Sequence, residues 1–264
     1  MYGKQKLAAA LSFEGTPQVG AVICYEGIFL RDHWNQVIPY PWWYHDSPSL
    51  EHQIAWRRSA IQNIQQDWFY LPECGSREER SAKEIFQDNS GVFLLDKRDG
   101  SITKLYEPVV GGWSRDRQIE SIHPLKVPNT FDEIDRLIPE PIKFDPDKFL
   151  SSGRGDLARK LIQEFGDQYF TIRHVTAPLW ACYSLWGFED WMVKIASDPE
   201  LVNYASQRQL SHCFYQIQLS AALGANGIWI EDCLVDMISR RAFKSINLPL
   251  IQTLAEEIRS AGMK

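Results

Sequence analysis

The 264-residue chain lacks most of the features that would settle its class at a glance. It has no Cys-x-x-Cys pair, and its five cysteines (Cys24, Cys74, Cys182, Cys213 and Cys233) are odd in number. That argues against a disulfide framework and the common structural zinc spacings, and it implies free thiols in a reducing, cytoplasmic compartment. No stretch reads as a secretory signal, and no apolar run is long enough to cross a bilayer, so no membrane partner is expected. Dense basic clusters are missing too. With 28 Lys and Arg against 34 Asp and Glu, the formal charge is −6, and nothing would track a phosphate backbone, so nucleic acid is not an expected partner. Nor does any G-x-G-x-x-G or P-loop follow an apolar run, which weakens an open nucleotide-binding sheet.

What is present is ordinary in bulk and unusual in aromatics. Hydrophobic residues make up 44% and charged residues 23%, as in a globular domain. The 10 Trp, 10 Tyr and 13 Phe imply either an aromatic-lined cleft or a large aromatic core. Compact apolar runs at 19–24, 68–72, 169–175 and 227–230 have the length and branching of buried strands. Helical periodicity follows Ser49 (Leu50, Ile54, Ala55, Ala60, Ile61, Ile64), recurs over 157–165 up to Gly166, and runs from an Asp198-Pro199-Glu200 start to Gly224. A final helix begins at Asn247-Leu248-Pro249 and stops at Gly262. Residues 91–106 read as a β-hairpin turning at Asp99-Gly100, and 107–155 are Pro- and Gly-rich with a short helix near 131–138. That last stretch is either a lid or surface packing.

Repeated strand–helix units imply a parallel sheet. Because each strand ends in polar or aromatic residues, the expected architecture is α/β, a (β/α)8 barrel in a single domain over 1–264, with the hairpin as an insertion. Residues 222–233 show the pattern most clearly: a helix end, Gly224, the strand, then Glu231 and Asp232. Adjacent strand residues point to opposite faces, so one acid should face the barrel mouth and serve as general acid or base. Glu26 and Glu73 end two other expected strands and could share that pocket. Tyr183 could donate a hydrogen bond to substrate. Arg31 and His33 could bind an anionic group, although Asp32 beside them could tie the arginine into a plain salt bridge. Trp180, with Trp42 and Trp43, could stack on a flat ligand or simply pack. His212-Cys213 is the one adjacent His/Cys pair, inside the long helix, where packing is the simpler role.

The stretches 20–34, 176–183, 197–201 and 224–262, taken in order and spacing, resemble the uroporphyrinogen decarboxylase superfamily, which includes corrinoid-linked methyltransferases. The resemblance covers most of the chain and implies a (β/α)8 barrel with a cleft at the strand carboxyl ends. True decarboxylases carry an arginine-rich N-terminal motif. This chain has Arg31 alone there, and Glu73-Cys74 where the decarboxylases place their key aspartate, whereas Tyr183 matches the family's loop tyrosine. The resemblance therefore implies the methyltransferase branch, with a small methylated substrate or thiol, a corrinoid protein as partner, and zinc held by a later His-x-Cys motif and Cys. No such motif occurs in these residues. The alternatives are porphyrinogen-type decarboxylation and a non-catalytic tetrapyrrole- or corrinoid-binding or partner subunit.

Only four barrel-type strands are counted, against eight in a closed barrel. The expectation is a shortened barrel, or one completed by another chain. An open sheet edge of that kind leads to an expectation of self-association.

Overall fold

The computed structural model describes residues 2–108 and 127–264. In chain order the elements are α1 (Gly3–Ala10), α2 (Glu26–Val37), α3 (Leu50–Ile64), β1 (Trp68–Tyr70), α4 (Arg77–Ser81), β2 (Lys83–Asp88), β3 (Gly91–Asp96) and β4 (Ser101–Leu105). After the second described segment begins come α5 (Phe131–Leu137), α6 (Pro146–Ser151), α7 (Asp156–Phe165), β5 (Phe170–Thr176), α8 (Pro178–Ala181), α9 (Tyr183–Ser197) and α10 (Pro199–Leu223). Last are β6 (Gly227–Glu231), α11 (Arg240–Ala242) and α12 (Leu248–Ser260), with a π-helical turn, Phe243–Asn247, leading into α12. The chain is α/β, with a three-stranded parallel sheet in the order β1-β5-β6.

The described residues form two compact units, 2–108 with 145–172, and 127–144 with 173–264. In the first, α3 forms where the periodicity places it. It buries Trp56, Ala60 and Ile61 on one face and ends at Gln65 in the left-handed conformation (φ 56°). Trp56 and Ala60 pack with Leu30, Trp34 and Ile38 of the α2 region. A bidentate ion pair, Arg58 to Glu164 at 2.6 and 2.8 Å, ties α3 to α7. β1 pairs in parallel with the start of β5, Trp68 opposite Phe170 and Tyr70 opposite Ile172.

Two expectations fail in this unit. Residues 19–24 are not a strand, and Val19 is 86% exposed. Two of their amides bond to side chains, Ala21 N–H donating to Asp67 Oδ2 at 2.7 Å and Ile23 N–H to Gln66 Oε1 at 2.9 Å, while Ala21 O accepts from Asp67 N–H at 2.8 Å. A ladder needs backbone partners at every second residue, and here the polar residues before β1 take that role. The hairpin is really a three-stranded antiparallel meander, β2-β3-β4. β2 was not legible because Lys-Glu-Ile-Phe-Gln-Asp carries only two apolar residues and no sustained alternation. The Asp99-Gly100 turn is also not a two-residue primed turn. Asp96 pairs with Ser101, leaving a four-residue loop in which only Gly100 has positive φ (73°).

In the second unit, α10 matches its sequence signals at both ends. The Asp198 side chain accepts from Leu201 N–H at 3.4 Å, Pro199 occupies the first turn, and Gly224 closes the helix at φ 90°. α9 is interrupted at Gly187, whose φ of 72° and ψ of 175° only glycine adopts without strain. The core gathers Leu179, Cys182, Trp186, Trp191, Val202, Ala205, Ile246 and Leu250. The Trp186 indole donates to Pro128 O at 2.9 Å and anchors the chain entering α5. Beside β6, Lys264 N–H donates to Asn226 O at 3.0 Å and Ile228 N–H to Lys264 O at 2.9 Å, the hydrogen-bond pattern of a parallel ladder.

Candidate functional site

The chemistry of the second unit collects at the carboxyl ends of β5 and β6, where α/β proteins place their ligands. Alternation along β5 puts Ile172, His174 and Thr176 on one face. On β6 it puts Gly227, Trp229 and Glu231 together. The strand ends are aligned by Ala177 N–H donating to Glu231 O at 2.8 Å. His174 and Glu231 thereby become cross-strand neighbours, with Nε2 2.8 Å from Oε2. The imidazole lies 5.2 Å from the Trp229 ring, and Cys233 Sγ is 3.6 Å from Glu231 Oε1. The imidazole and carboxylate are 30% and 20% exposed, reachable from solvent yet sheltered. A carboxylate on Nε2 fixes the orientation of the ring and leaves Nδ1 as the nitrogen that could exchange a proton with a ligand.

Asp232, the next residue, turns the other way. Its Oδ2 accepts from Asn247 Nδ2 at 2.6 Å. Burial raises the Asp232 carboxyl above the ordinary aspartate range, and the Asn247 hydrogen bond only partly offsets this. The strand alternation thus separates the two acids into an accessible one and an inward one. Tyr183 and Trp180 stack on each other at 4.9 Å between centroids and pack against the core around Trp191. Trp180 therefore packs, and the Tyr183 ring packs with it.

The other four sequence candidates lie in the first unit. Glu26 is the first residue of α2 rather than a strand end. Burial pushes its carboxyl up, while Gln66, the Arg57 guanidinium and the Tyr70 backbone pull it back. Arg57 lies 4.0 Å over the Trp56 ring, and burial draws its guanidinium below the usual arginine range. Arg31 is spent on its neighbour: Nε and Nη2 donate to Asp32 at 2.7 and 3.1 Å. His33 Nδ1 is 3.1 Å from Gln36 Oε1 on the exposed side of α2. Glu73 is exposed, three residues past the end of β1.

Sequence reasoning did not single out His174, Asn247 or Arg57. His174 had a usable signal: it sits near the end of an apolar strand, as Glu231 does on the next. Asn247 and Arg57 had none, because each is given its role by a residue distant in sequence.

Zinc, which the family resemblance implies, does not fit the one adjacent His/Cys pair. His212 Nε2 is 2.9 Å from Pro139 O. Cys213 donates to Thr176 O at 3.4 Å, and burial pushes its thiol up to about 12, so it holds its proton where a zinc ligand must lose it. Among the described residues no group of three or more His, Cys, Asp and Glu side chains is arranged to hold a metal ion. No described helix is long and apolar enough to cross a membrane. No protein-family model matches the chain, and no curated protein matches it.

Proposed function

We propose that the chain is a methyl-transfer enzyme of the uroporphyrinogen decarboxylase superfamily, acting on a small methylated molecule at the carboxyl ends of β5 and β6. The observation that carries this reading is the His174–Glu231 pair, 2.8 Å apart and partly exposed at two adjacent strand ends. Breaking a methyl–heteroatom bond leaves an electron pair on the departing atom, and that atom needs a proton as the methyl leaves. His174, held by Glu231, supplies it. The methyl group bonds to the electron pair of a reduced corrinoid carried by a partner protein, which is the second substrate. Methyl and proton are thereby accounted for.

Decarboxylation of a porphyrinogen is the weaker alternative. It calls for guanidinium groups ready to meet several substrate carboxylates, and Arg31 already donates twice to Asp32.

The test is methyl transfer to free cob(I)alamin from a panel of methylated amines, thiols and methoxylated aromatics, followed by loss of the reduced-cobalt absorbance. Turnover of at least one donor, lost in His174→Gln, is the expected result. No turnover of any donor alongside release of carbon dioxide from a carboxylated tetrapyrrole would overturn the reading in favour of decarboxylation.

A further inference from the structure

A second polar pair lies under the strand end, on the opposite side from His174. Asn247 is fully buried, at 0% exposure. Its Nδ2 reaches Asp232 Oδ2 at 2.6 Å. The other oxygen on each side chain, Asp232 Oδ1 and Asn247 Oδ1, is also buried and has no hydrogen-bond partner among the described residues. Two orphaned acceptors on side chains already joined by one hydrogen bond are costly, and each would ordinarily find a donor. With the carboxylate ionised, neither can serve the other.

The geometry points to Asp232 being a neutral carboxylic acid in the folded chain, its Oδ1–H donating to Asn247 Oδ1 and closing a two-bond acid–amide ring. One proton then satisfies both orphaned oxygens, and the 2.6 Å contact becomes one half of a reciprocal pair. The ring joins the end of β6 to the π-helical turn that opens α12. Asp232 is thus a latch between strand and helix rather than a partner of Glu231 in the chemistry.

The charged surroundings leave Asp232 without an ion-pair partner among the described residues. On the strand side Glu231 is committed to His174 and lies near Cys233. On the helix side Arg240, Arg241 and Lys244 are exposed and line an open depression with Ser245. α8 has no titratable side chain. In α10, His212 and Cys213 bond to the Pro139 and Thr176 carbonyls. The charges of α12 (Glu256, Glu257 and Arg259) stand more than two turns from Asn247. Desolvation without a compensating cation also raises the acid, as noted above.

The experiment is chemical unfolding across pH, paired with infrared spectroscopy of the protonated carboxyl stretch. A proton kept in the folded state and lost in the unfolded one makes the folded-to-unfolded ratio fall, by about tenfold per pH unit between the two pKa values. Wild type should show this fall above the ordinary aspartate range. Asp232→Asn, which keeps a reciprocal amide pair, should remove that part of the slope, and Asn247→Asp should lose stability steeply as pH rises. The infrared band should persist in wild type at pH values where ordinary aspartates are ionised, remain in Glu26→Gln, which removes the other burial-raised acid, and vanish in Asp232→Asn. Identical pH slopes in wild type and Asp232→Asn would overturn the assignment. So would the loss of the band in Glu26→Gln, a result that needs no Asp232 variant to fold.

Discussion

Glu26 in the first unit and Asp232 in the second are both acids that burial pushes above the ordinary carboxylate range, yet they are compensated in different ways. Glu26 has a guanidinium, a side-chain amide and a backbone group drawing it back down. Asp232 has one neutral amide. The contrast concerns the strand ends rather than the whole of each unit, since the second unit has ion pairs of its own, Lys194 with Asp198 and Arg208 with Asp135 and Glu140. In the first, charges are neutralised by charges: Arg31 by Asp32, Arg58 by Glu164, Arg80 by Asp156, and Arg154 by Glu79. In the second, the strand ends hold a histidine–carboxylate pair and an acid–amide pair, whose states depend on protons. A fixed cation makes a buried acid a structural ion pair, whereas a titratable or neutral partner leaves it able to exchange or retain a proton.

The largest expected effect tests the proton-exchanging side of that contrast. His174→Gln should lower turnover about 100- to 10,000-fold with little change in the urea midpoint. An unchanged rate would reduce the pair to another structural contact. Next come the cores. Trp186→Ala in the second unit and Phe69→Ala in the first, both nearly fully buried, should each cost about 3–5 kcal/mol in denaturant unfolding, so the contrast concerns charges and not packing.

Arg57→Ala should follow at about 1–3 kcal/mol, because it leaves Glu26 without its cation. A cost near zero would mean that the first unit does not depend on charge compensation. Asp67→Asn should cost about 1 kcal/mol by the usual net scale for an intramolecular hydrogen bond. Burial alone would raise Asp67, but the Lys6 ammonium and the Ala21 amide outweigh it and hold the carboxyl below the usual range. A depressed acid contributes stability above its unfolded pKa and loses it as pH falls through the folded value. Acid titration of wild type against Asp67→Asn should therefore diverge at neutral pH and converge at low pH, the opposite sign from Asp232. Arg31→Ala should be smallest, with no resolvable change in the urea midpoint, as for an exposed salt bridge. Thiol alkylation read by mass spectrometry gives a separate check. Exposed Cys24 should react first, while Cys182 and Cys213, buried and pushed up to about 12, should resist until unfolding.

Much of the fold was legible in the residues. α3, α7, α10, β1, β5, β6 and α12 stand where periodicity places them, because burying one face of a helix or strand leaves its spacing in the sequence. Asn247, however, does not start the last helix, which runs on from Arg240 through the π-helical turn. Residues 19–24 misled because a short apolar run says nothing about what will satisfy its amides. β2 was missed because it lies in a meander that asks little burial of its residues. The closed barrel is not what the described strands form, and the parallel sheet shown has three. At the site, Glu231 and Asp232 were found from their place after a strand. Their partners His174 and Asn247 were not, since they lie 57 and 15 residues away in the chain.

By itself, the sequence determined the α/β class, the longer helices α3, α7, α10 and α12, and the paired acids at the end of β6, because these depend on local propensity and on burial periodicity. Only the tertiary structure decided that Glu231 meets a histidine, that Asp232 meets a buried amide, and that Arg31 is already occupied by Asp32. Protonation and availability are set by what stands within a few ångströms in space, and for a side chain at a strand end that neighbour comes from another strand or helix.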